Sequence, residues 1–174
     1  MKKLAFLFTL VLSLFLAATA MADDWVHTGD AVRTKSVGPF TAKVYAIRHD
    51  MKGKGPKNKQ AIIEADVEKK FTWRMLRDVD SSKIQKALRE ALQMNGFNDG
   101  GRIGQFVGAF NKDEVKENSA VVISYNPAAS TTTIWVQNGA TATVAGKDFM
   151  KAVWSIWLGK IDQPSMGDQL IANL

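Results

Sequence analysis

The sequence lacks cysteine altogether and has only two histidines among its 174 residues. Without cysteine the chain cannot build a disulfide framework, a thiol nucleophile, a thiolate metal site or a lipid-modified cysteine. His27 and His49 are far apart in sequence, and neither has a carboxylate at helical ligand spacing, so we interpret each as an ordinary surface or rim histidine. We therefore expect neither a metal nor a cofactor, and a fold that is stabilised by packing.

Signatures of common catalytic sites are also missing. The chain has no Gly-x-Ser-x-Gly elbow, no phosphate-binding glycine loop and no His-Glu-x-x-His helix. Four carboxylates are scattered around predicted turns and do not suggest a general acid pair: Glu64, Asp66, Asp78 and Asp80. The residues alone thus give no visible catalytic set.

Long apolar runs are absent except at the N-terminus, where residues 4–16 follow Met1-Lys2-Lys3. A basic start, a short apolar run and the small-residue site Ala20-Met21-Ala22 are typical of a secretory signal peptide; the competing interpretation is an uncleaved anchor. We predict cleavage after Ala22, so that residues 1–22 are a signal peptide and residues 23–174 form one exported, periplasmic domain. Removing 22 of the 174 residues leaves 152, enough to bury a sizeable core.

The exported domain is weakly basic. Loss of Lys2 and Lys3 lowers the formal net charge from +6 to +4, and much of the excess lies in residues 52–59, which contain four lysines broken by glycine and proline. Lysines without interleaved aromatic residues are typical of a solvated turn and not of a nucleic-acid interface. We expect no nucleic-acid partner, and no transmembrane segment after signal cleavage.

Apolar periodicity predicts the element order strands, helices, strands, helix. Alternation indicates strands at residues 32–47, as a hairpin turning at Gly38-Pro39, and at 67–76, 119–125, 131–137 and 140–144. Helical spacing indicates helices at residues 60–65, from a cap at 80 or 81 to Gly96, and at 102–111, 148–158 and 164–170. Residues 23–29 suggest a loose terminus. This order predicts an α+β domain whose helices cover one face of an antiparallel sheet.

The hairpin carries the chemistry that suggests a ligand. Arg33 and Tyr45 are an even number of residues apart, so alternation can place both on one face. A cation and a phenol on a shared face suit an anionic or phenolic ligand. The alternative is structural, because an arginine near a strand start is commonly solvated at the rim and a strand tyrosine is commonly half buried.

Six stretches carry a family resemblance through their order and spacing: Val32-Arg33, Lys43-Val44-Tyr45, Leu76-Arg77-Asp78-Val79, residues 82–90, Asn138-Gly139 and residues 148–159. Together they resemble the chalcone isomerase-like family, in particular its bacterial exported branch, from about Asp30 to Leu174. The resemblance implies an open-faced β-sandwich, in which helices cover one face of a large antiparallel sheet and a ligand cleft lies between sheet and helices.

The resemblance also implies which residues would contact a ligand. Arg33 matches the arginine that stabilises the substrate phenolate in the plant isomerases, whereas Tyr45 stands where they have a threonine. Three further catalytic positions fall on residues without the expected group: Asp80, Ala87 and Met150. Chalcone cyclisation is therefore not expected. Fatty-acid-binding relatives place an arginine and a tyrosine on the carboxylate, and Arg33 with Tyr45 resembles that pair.

Three hypotheses follow. The favoured one is a non-catalytic periplasmic protein that binds a small amphipathic anion such as a fatty acid, with Arg33 and Tyr45 on the acid and four apolar lining candidates, each of which is alternatively simple core: Phe71, Trp73, Phe106 and Trp154. The second is an isomerase or lyase in which Arg33 stabilises an enolate or phenolate and Tyr45 is the acid. The third is a closed structural or interaction module in which Arg33 is buried against a carboxylate such as Asp78 or Asp80.

Overall fold

The computed structural model describes residues 24–174, so the predicted signal peptide lies outside the described residues. Its strands are β1 (Trp25–Val37), β2 (Phe40–Lys52), β3 (Lys69–Met75), β4 (Val79–Asp80), β5 (Glu114–Val115), β6 (Ala120–Asn126), β7 (Thr131–Val136) and β8 (Thr141–Ala145). Its helices are α1 (Lys59–Glu64), α2 (Ser81–Met94), α3 (Gly100–Val107), α4 (Lys147–Leu158) and α5 (Ser165–Leu170). Within this range, no helix combines the length and the apolar character that crossing a membrane requires.

Six of these strands form one open antiparallel sheet in the order β1-β2-β3-β6-β7-β8, and β4 pairs with β5 in a separate small ladder. Alternate residues of β3 are buried against the helices: Lys69, Phe71, Trp73 and Met75. Helix α4 crosses the same face and contributes Trp154 and Trp157 to the core. The predicted α+β class and open-faced arrangement are confirmed.

The N-terminal hairpin is longer than its sequence pattern indicates. Strand β1 begins at Trp25, which pairs with Lys52 at the far end of β2, so the prediction of a loose terminus at residues 23–29 is wrong for the part that is described. The register shifts between His27 and Gly29, leaving Thr28 as an extra residue in β1. Because this bulge interrupts the alternation of side chains, the pattern of the first strand is hidden in the sequence.

The C-terminal helix α5 lies against β1, the edge strand of the sheet. A Cβ atom added at Gly29 would lie 2.1 Å from the backbone oxygen of Gln169, so only glycine permits this approach. Farther along, the backbone N–H of Asn173 donates to the Thr28 carbonyl at 2.9 Å. The chain after α4 therefore runs along the edge of the hairpin that carries Arg33.

Candidate functional site

Arg33 and Tyr45 face each other directly across the β1–β2 pair. Directly opposed residues of an antiparallel pair project from the same face with Cβ atoms about 5 Å apart. The face they share is the one that carries Ile47 and the buried side chains of β3, so both point toward the helix layer. The shared face predicted from the sequence is confirmed.

Tyr45 is fixed by two tryptophans. Its ring stacks on Trp73 with centroids 4.6 Å apart and an angle of 7° between planes, and its Oη accepts a hydrogen bond from Trp157 Nε1 at 3.0 Å. Burial raises the pKa of Tyr45 to about 12, although the Trp157 hydrogen bond and the Arg33 charge oppose the increase. The phenol is therefore neutral at physiological pH, and it retains a proton that it can donate.

Arg33 is engaged by a carboxylate from the segment between α4 and α5. Its Nη2 donates to Asp162 Oδ2 at 3.0 Å, and its Nη1 lies 2.6 Å from Asp162 Oδ1. The hydrogen bond from Arg33 holds the pKa of Asp162 below its ordinary value. The third hypothesis gave Asp78 and Asp80 as examples of such a carboxylate, and both examples are wrong, because these two pair with Lys116 and Lys83 respectively and the partner of Arg33 is Asp162.

The next residue, Gln163, attaches this segment to the edge of β1. Its Oε1 accepts from the backbone N–H of Thr34 at 3.0 Å, and its Nε2 donates to the carbonyl of Val32 at 2.9 Å. A side-chain amide thus takes the place of a neighbouring strand at the level of Arg33. Asp162 and Gln163 were not found from the sequence, since both make contacts with residues about 130 positions away and lie outside any periodic pattern.

The predicted apolar lining residues are fully buried core side chains. A chain of ring contacts leads from Trp73, which stacks on Tyr45, into the core. The ring centroids are 5.4 Å apart for Trp73 and Trp157, 4.7 Å for Trp157 and Phe71, and 5.1 Å for Phe71 and Trp154. Trp73 Nε1 is buried and has no hydrogen-bond partner among the described residues. These rings pack against one another between the sheet and the helices beside Tyr45. The ligand cleft expected there stays a prediction.

Phe106 lies apart from this group. It is on α3, a helix that lies against β8 at the opposite edge of the sheet from β1, and it packs against Phe149 at 5.4 Å. The structure thus brings Arg33, Tyr45 and Trp73 together and leaves Phe106 outside that group.

The positions aligned with the remaining plant catalytic residues do not extend the group. Ala87 is exposed on α2, and Asp80 immediately precedes the same helix, where it pairs with Lys83 and makes no side-chain capping hydrogen bond. Met150 is buried on α4. None of the three supplies a hydroxyl or amide group to a ligand.

His49 is fully buried, so its interpretation as a surface or rim histidine is wrong. Its Nε2 accepts from Trp154 Nε1 at 2.9 Å, and its Nδ1 lies 2.6 Å from Thr28 Oγ1, which donates to the Leu170 carbonyl. These contacts require a neutral ring with its proton on Nδ1. Burial lowers the pKa of His49 to about 3, with a further contribution from the charge of Lys69.

Lys69 is a second buried polar residue that the sequence analysis missed. Its ammonium donates to the carbonyls of Ile62 and Ile63 at 2.7 and 3.0 Å, and it lies 4.8 Å from the centre of the Trp154 ring. Burial lowers its pKa to about 7, which nearby carboxylates partly oppose. Because its donors satisfy the last carbonyls of α1, we interpret Lys69 as a structural cap for that helix.

A separate depression lies on the other face of the sheet. It is open to solvent and has a volume of about 710 Å³. Its lining includes two adjacent rows of side chains across β1, β2 and β3, flanked by two glutamines: Val32, Ala46, Arg74, Asp30, Arg48, Thr72, Gln163 and Gln169. By the alternation of the strands, these side chains are on the opposite side from Arg33 and Tyr45, while the depression also borders Ala31, Ile47 and Trp73 of the helix-covered face.

Comparison with known proteins gives one family and a set of related folds. The family model described as chalcone isomerase-like matches residues 15–168. No curated protein sequence matches the chain. Among solved structures, the chain is similar to the crystal structure of a fatty-acid binding protein of Arabidopsis thaliana, with a TM-score of 0.67 and 16% identity over 88% of this chain and 90% of the other.

Proposed function

The chain belongs to the chalcone isomerase-like family, and from this premise we propose that it is an exported, periplasmic member that binds a small amphipathic anion such as a fatty acid without catalysing a reaction. The anion would contact Arg33 and Tyr45. The observation that carries the proposal is the direct opposition of these two side chains on the helix-covered face. The similar plant structure is that of a fatty-acid binding protein, which favours the same class of ligand.

The chemistry of the pair suits binding better than proton transfer. Arg33 supplies a permanent positive charge and paired donors. Tyr45, with a pKa raised to about 12, can donate a hydrogen bond to an anion, but its pKa is far from that of an efficient acid near neutral pH. Hydrogen bonds to a charged group contribute about 1.5 to 3 kcal/mol each, which is sufficient to select an anion over its neutral analogue.

A buried donor next to the pair gives the proposal further support. Trp73 Nε1 has no acceptor in the described part of the chain, although its ring stacks on Tyr45. An unsatisfied buried donor costs about 1 to 3 kcal/mol. A ligand or water oxygen that entered beside Tyr45 would offer this donor a partner.

A second candidate is favoured by the ion pair itself. Because Arg33 already contacts Asp162, it can be explained as an internal link in a closed structural module that binds no small molecule. The two candidates differ in whether Arg33 contributes to ligand retention or only to stability.

The test is native mass spectrometry, with solvent extraction, on the mature protein exported by a bacterial host from the full chain. Wild type is compared with Arg33→Ala and with Arg74→Ala, an exposed arginine of β3 whose guanidinium contacts Asn118. We expect a co-purified acid in wild type and in Arg74→Ala that is lost in Arg33→Ala, and a mature mass that begins at Asp23. A wild type without any bound acid, together with a melting temperature that changes only in Arg33→Ala, would support the closed module.

A further inference from the structure

We infer that Asp162 is an internal substitute for the ligand: its carboxylate holds Arg33 in the free protein, and a carboxylate ligand binds by displacing it. The inference rests on the proposed function. It narrows the ligand from amphipathic anions in general to carboxylates, and it assigns Asp162 as the residue that sets their affinity.

The group that Arg33 holds identifies the ligand chemistry. Arg33 Nη2 donates a hydrogen bond to Asp162 Oδ2 at 3.0 Å, and Nη1 lies 2.6 Å from Oδ1 but makes no hydrogen bond within the described residues. The planar guanidinium matches a carboxylate in this paired arrangement. A phenolate has a single oxygen, so it cannot place a separate oxygen on each of the two nitrogens. The site is thus arranged around the functional group of a fatty acid.

The two partners differ in exposure. The Arg33 side chain is 18% exposed and belongs to a strand, whereas the Asp162 side chain is 55% exposed and belongs to a connecting segment. The cation is therefore the fixed member of the pair, and the carboxylate faces solvent. Because an ion pair with one solvated member contributes little stability, exchanging Asp162 for another carboxylate costs little.

The segment is anchored on both sides of Asp162 independently of the ion pair. Before it, the side chain of Asn95 accepts from the Lys160 N–H at 2.8 Å and donates to the Lys160 carbonyl at 3.0 Å. After it, Gln163 is bonded to the edge of β1. Asp162 can therefore release Arg33 by rotation of its own side chain while the backbone of the segment stays in place.

Tyr45 gives an incoming carboxylate an advantage over Asp162. In residues 24–174, Asp162 makes its side-chain hydrogen bond to Arg33 and none to Tyr45. Since Arg33 and Tyr45 are directly opposed, a ligand carboxylate can contact both side chains at once. The second hydrogen bond is what allows a ligand to replace a carboxylate that is covalently part of the chain.

The experiment is isothermal titration calorimetry of the mature protein with dodecanoate, and with dodecanol as the uncharged comparator. Wild type is compared with Asp162→Asn, and with Asp168→Asn as the matched control. Asp168 is a nearby exposed carboxylate that pairs with Lys59 and does not contact Arg33. Carboxyl NMR titration of Asp162, with and without saturating dodecanoate, gives a second readout that does not depend on affinity.

We expect Asp162→Asn to bind dodecanoate about fivefold more tightly than wild type, the equivalent of removing one exposed ion pair. Asp168→Asn and the affinity for dodecanol should be unchanged. The pKa of Asp162 should rise toward its ordinary value when dodecanoate binds to wild type, because Arg33 is then taken by the ligand. Tighter binding in Asp162→Asn supports the inference even if wild type binds too weakly to measure.

Two outcomes are distinct failures. If wild type binds dodecanoate, but Asp162→Asn binds no more tightly and the pKa of Asp162 does not move, the acid binds away from Arg33; the inference is then overturned and fatty-acid binding stands. If neither wild type nor Asp162→Asn binds dodecanoate, the proposed function fails and the inference fails with it.

Discussion

Trp157 Nε1 donates a hydrogen bond of 3.0 Å to Tyr45 Oη across the interface between α4 and the sheet. The direction of this bond determines which hydrogen-bonding role remains open to the Tyr45 hydroxyl. An acceptor role toward Trp157 leaves the phenol proton available for a third group, and the stacked Trp73 ring fixes the plane in which the hydroxyl lies. Tyr45 is thus held in a single orientation by the core and presented beside Arg33 as a donor.

Replacing Trp157 with Phe tests this hydrogen bond. We expect the free energy of unfolding to fall by about 1 to 3 kcal/mol, because Tyr45 Oη loses its donor and the smaller ring leaves a gap. Chemical denaturation of Trp157→Phe, Tyr45→Phe and the double variant measures the coupling. The double variant should lose less stability than the two single variants together, since removing both partners leaves no unsatisfied group. Additive losses would show that the pair is not coupled.

The role of Tyr45 in binding is tested by replacing each of the two tyrosines of the chain with phenylalanine in turn. Tyr45→Phe should weaken dodecanoate binding about tenfold or more, since a hydrogen bond to a charged group contributes about 1.5 to 3 kcal/mol. Tyr125→Phe is the control, because Tyr125 donates to Asp66 and is away from Arg33. Calorimetry provides both affinities. An equal effect of the two substitutions would contradict a direct contact between Tyr45 and the ligand.

The sequence predicted the shared face of Arg33 and Tyr45 because strand alternation is a local property. The same alternation could have found His49, which lies four residues beyond Tyr45 and thus on the same buried face. Histidine is intermediate in its tendency to be buried, so the alternation alone did not show whether His49 is buried or exposed. Lys69 was missed for a related reason, since its burial depends on two carbonyls of α1 that meet it only in the folded chain.

Asp162 is a residue of the candidate site that local sequence patterns cannot identify. It belongs to a short irregular segment, and its partner is on the first strand of the sheet. The carboxylates chosen from the sequence, Asp78 and Asp80, had no better local signal than Asp162 had. Which carboxylate pairs with Arg33 depends on where α4 ends and on how the chain returns to the edge of β1. Both are properties of the whole fold.

The close contact between α5 and β1 predicts that one methyl group added at Gly29 strongly destabilises the fold. Gly29→Ala would place its Cβ 2.1 Å from the Gln169 oxygen, a backbone atom that cannot move alone, so we expect destabilisation by about 3 kcal/mol or more. Gly104→Ala is the matched control: apart from the adjoining residues and the backbone of its own helix, no described atom lies within 4 Å of the added Cβ, and alanine favours the helix by up to about 1 kcal/mol. Thermal unfolding of both variants provides the comparison. A tolerated Gly29→Ala would mean that α5 is not held tightly against β1.

The buried His49 predicts a loss of stability between neutral and mildly acidic pH. Its folded pKa is about 3, whereas an unfolded histidine has a pKa of about 6.5, so the unfolded chain binds the additional proton between those values. Stability conferred by the neutral ring is complete above pH 6.5 and decreases as the pH falls toward 3. From pH 7.5 to pH 5 the loss should be about 2 kcal/mol for this group alone.

Urea denaturation of wild type, His49→Gln and His27→Gln at pH 7.5 and pH 5 measures this loss. His49→Gln should be less stable at pH 7.5, because the link between Thr28 and Trp154 is broken, but on going to pH 5 it should lose about 2 kcal/mol less than wild type loses. His27→Gln is the comparison variant: His27 lies 2.7 Å from Asp30 and 3.4 Å from Asp50 and takes no part in the link between Thr28 and Trp154, so its loss should cost less stability at pH 7.5 than the loss of His49. Lys69, whose folded pKa of about 7 lies below its unfolded value, adds a loss of the same sign at the upper end of this window and little below pH 6, so the difference between wild type and His49→Gln isolates the contribution of His49. A wild-type stability that is the same at both pH values would mean that His49 takes up a proton in the folded state, and that its contact with Trp154 does not keep the ring neutral.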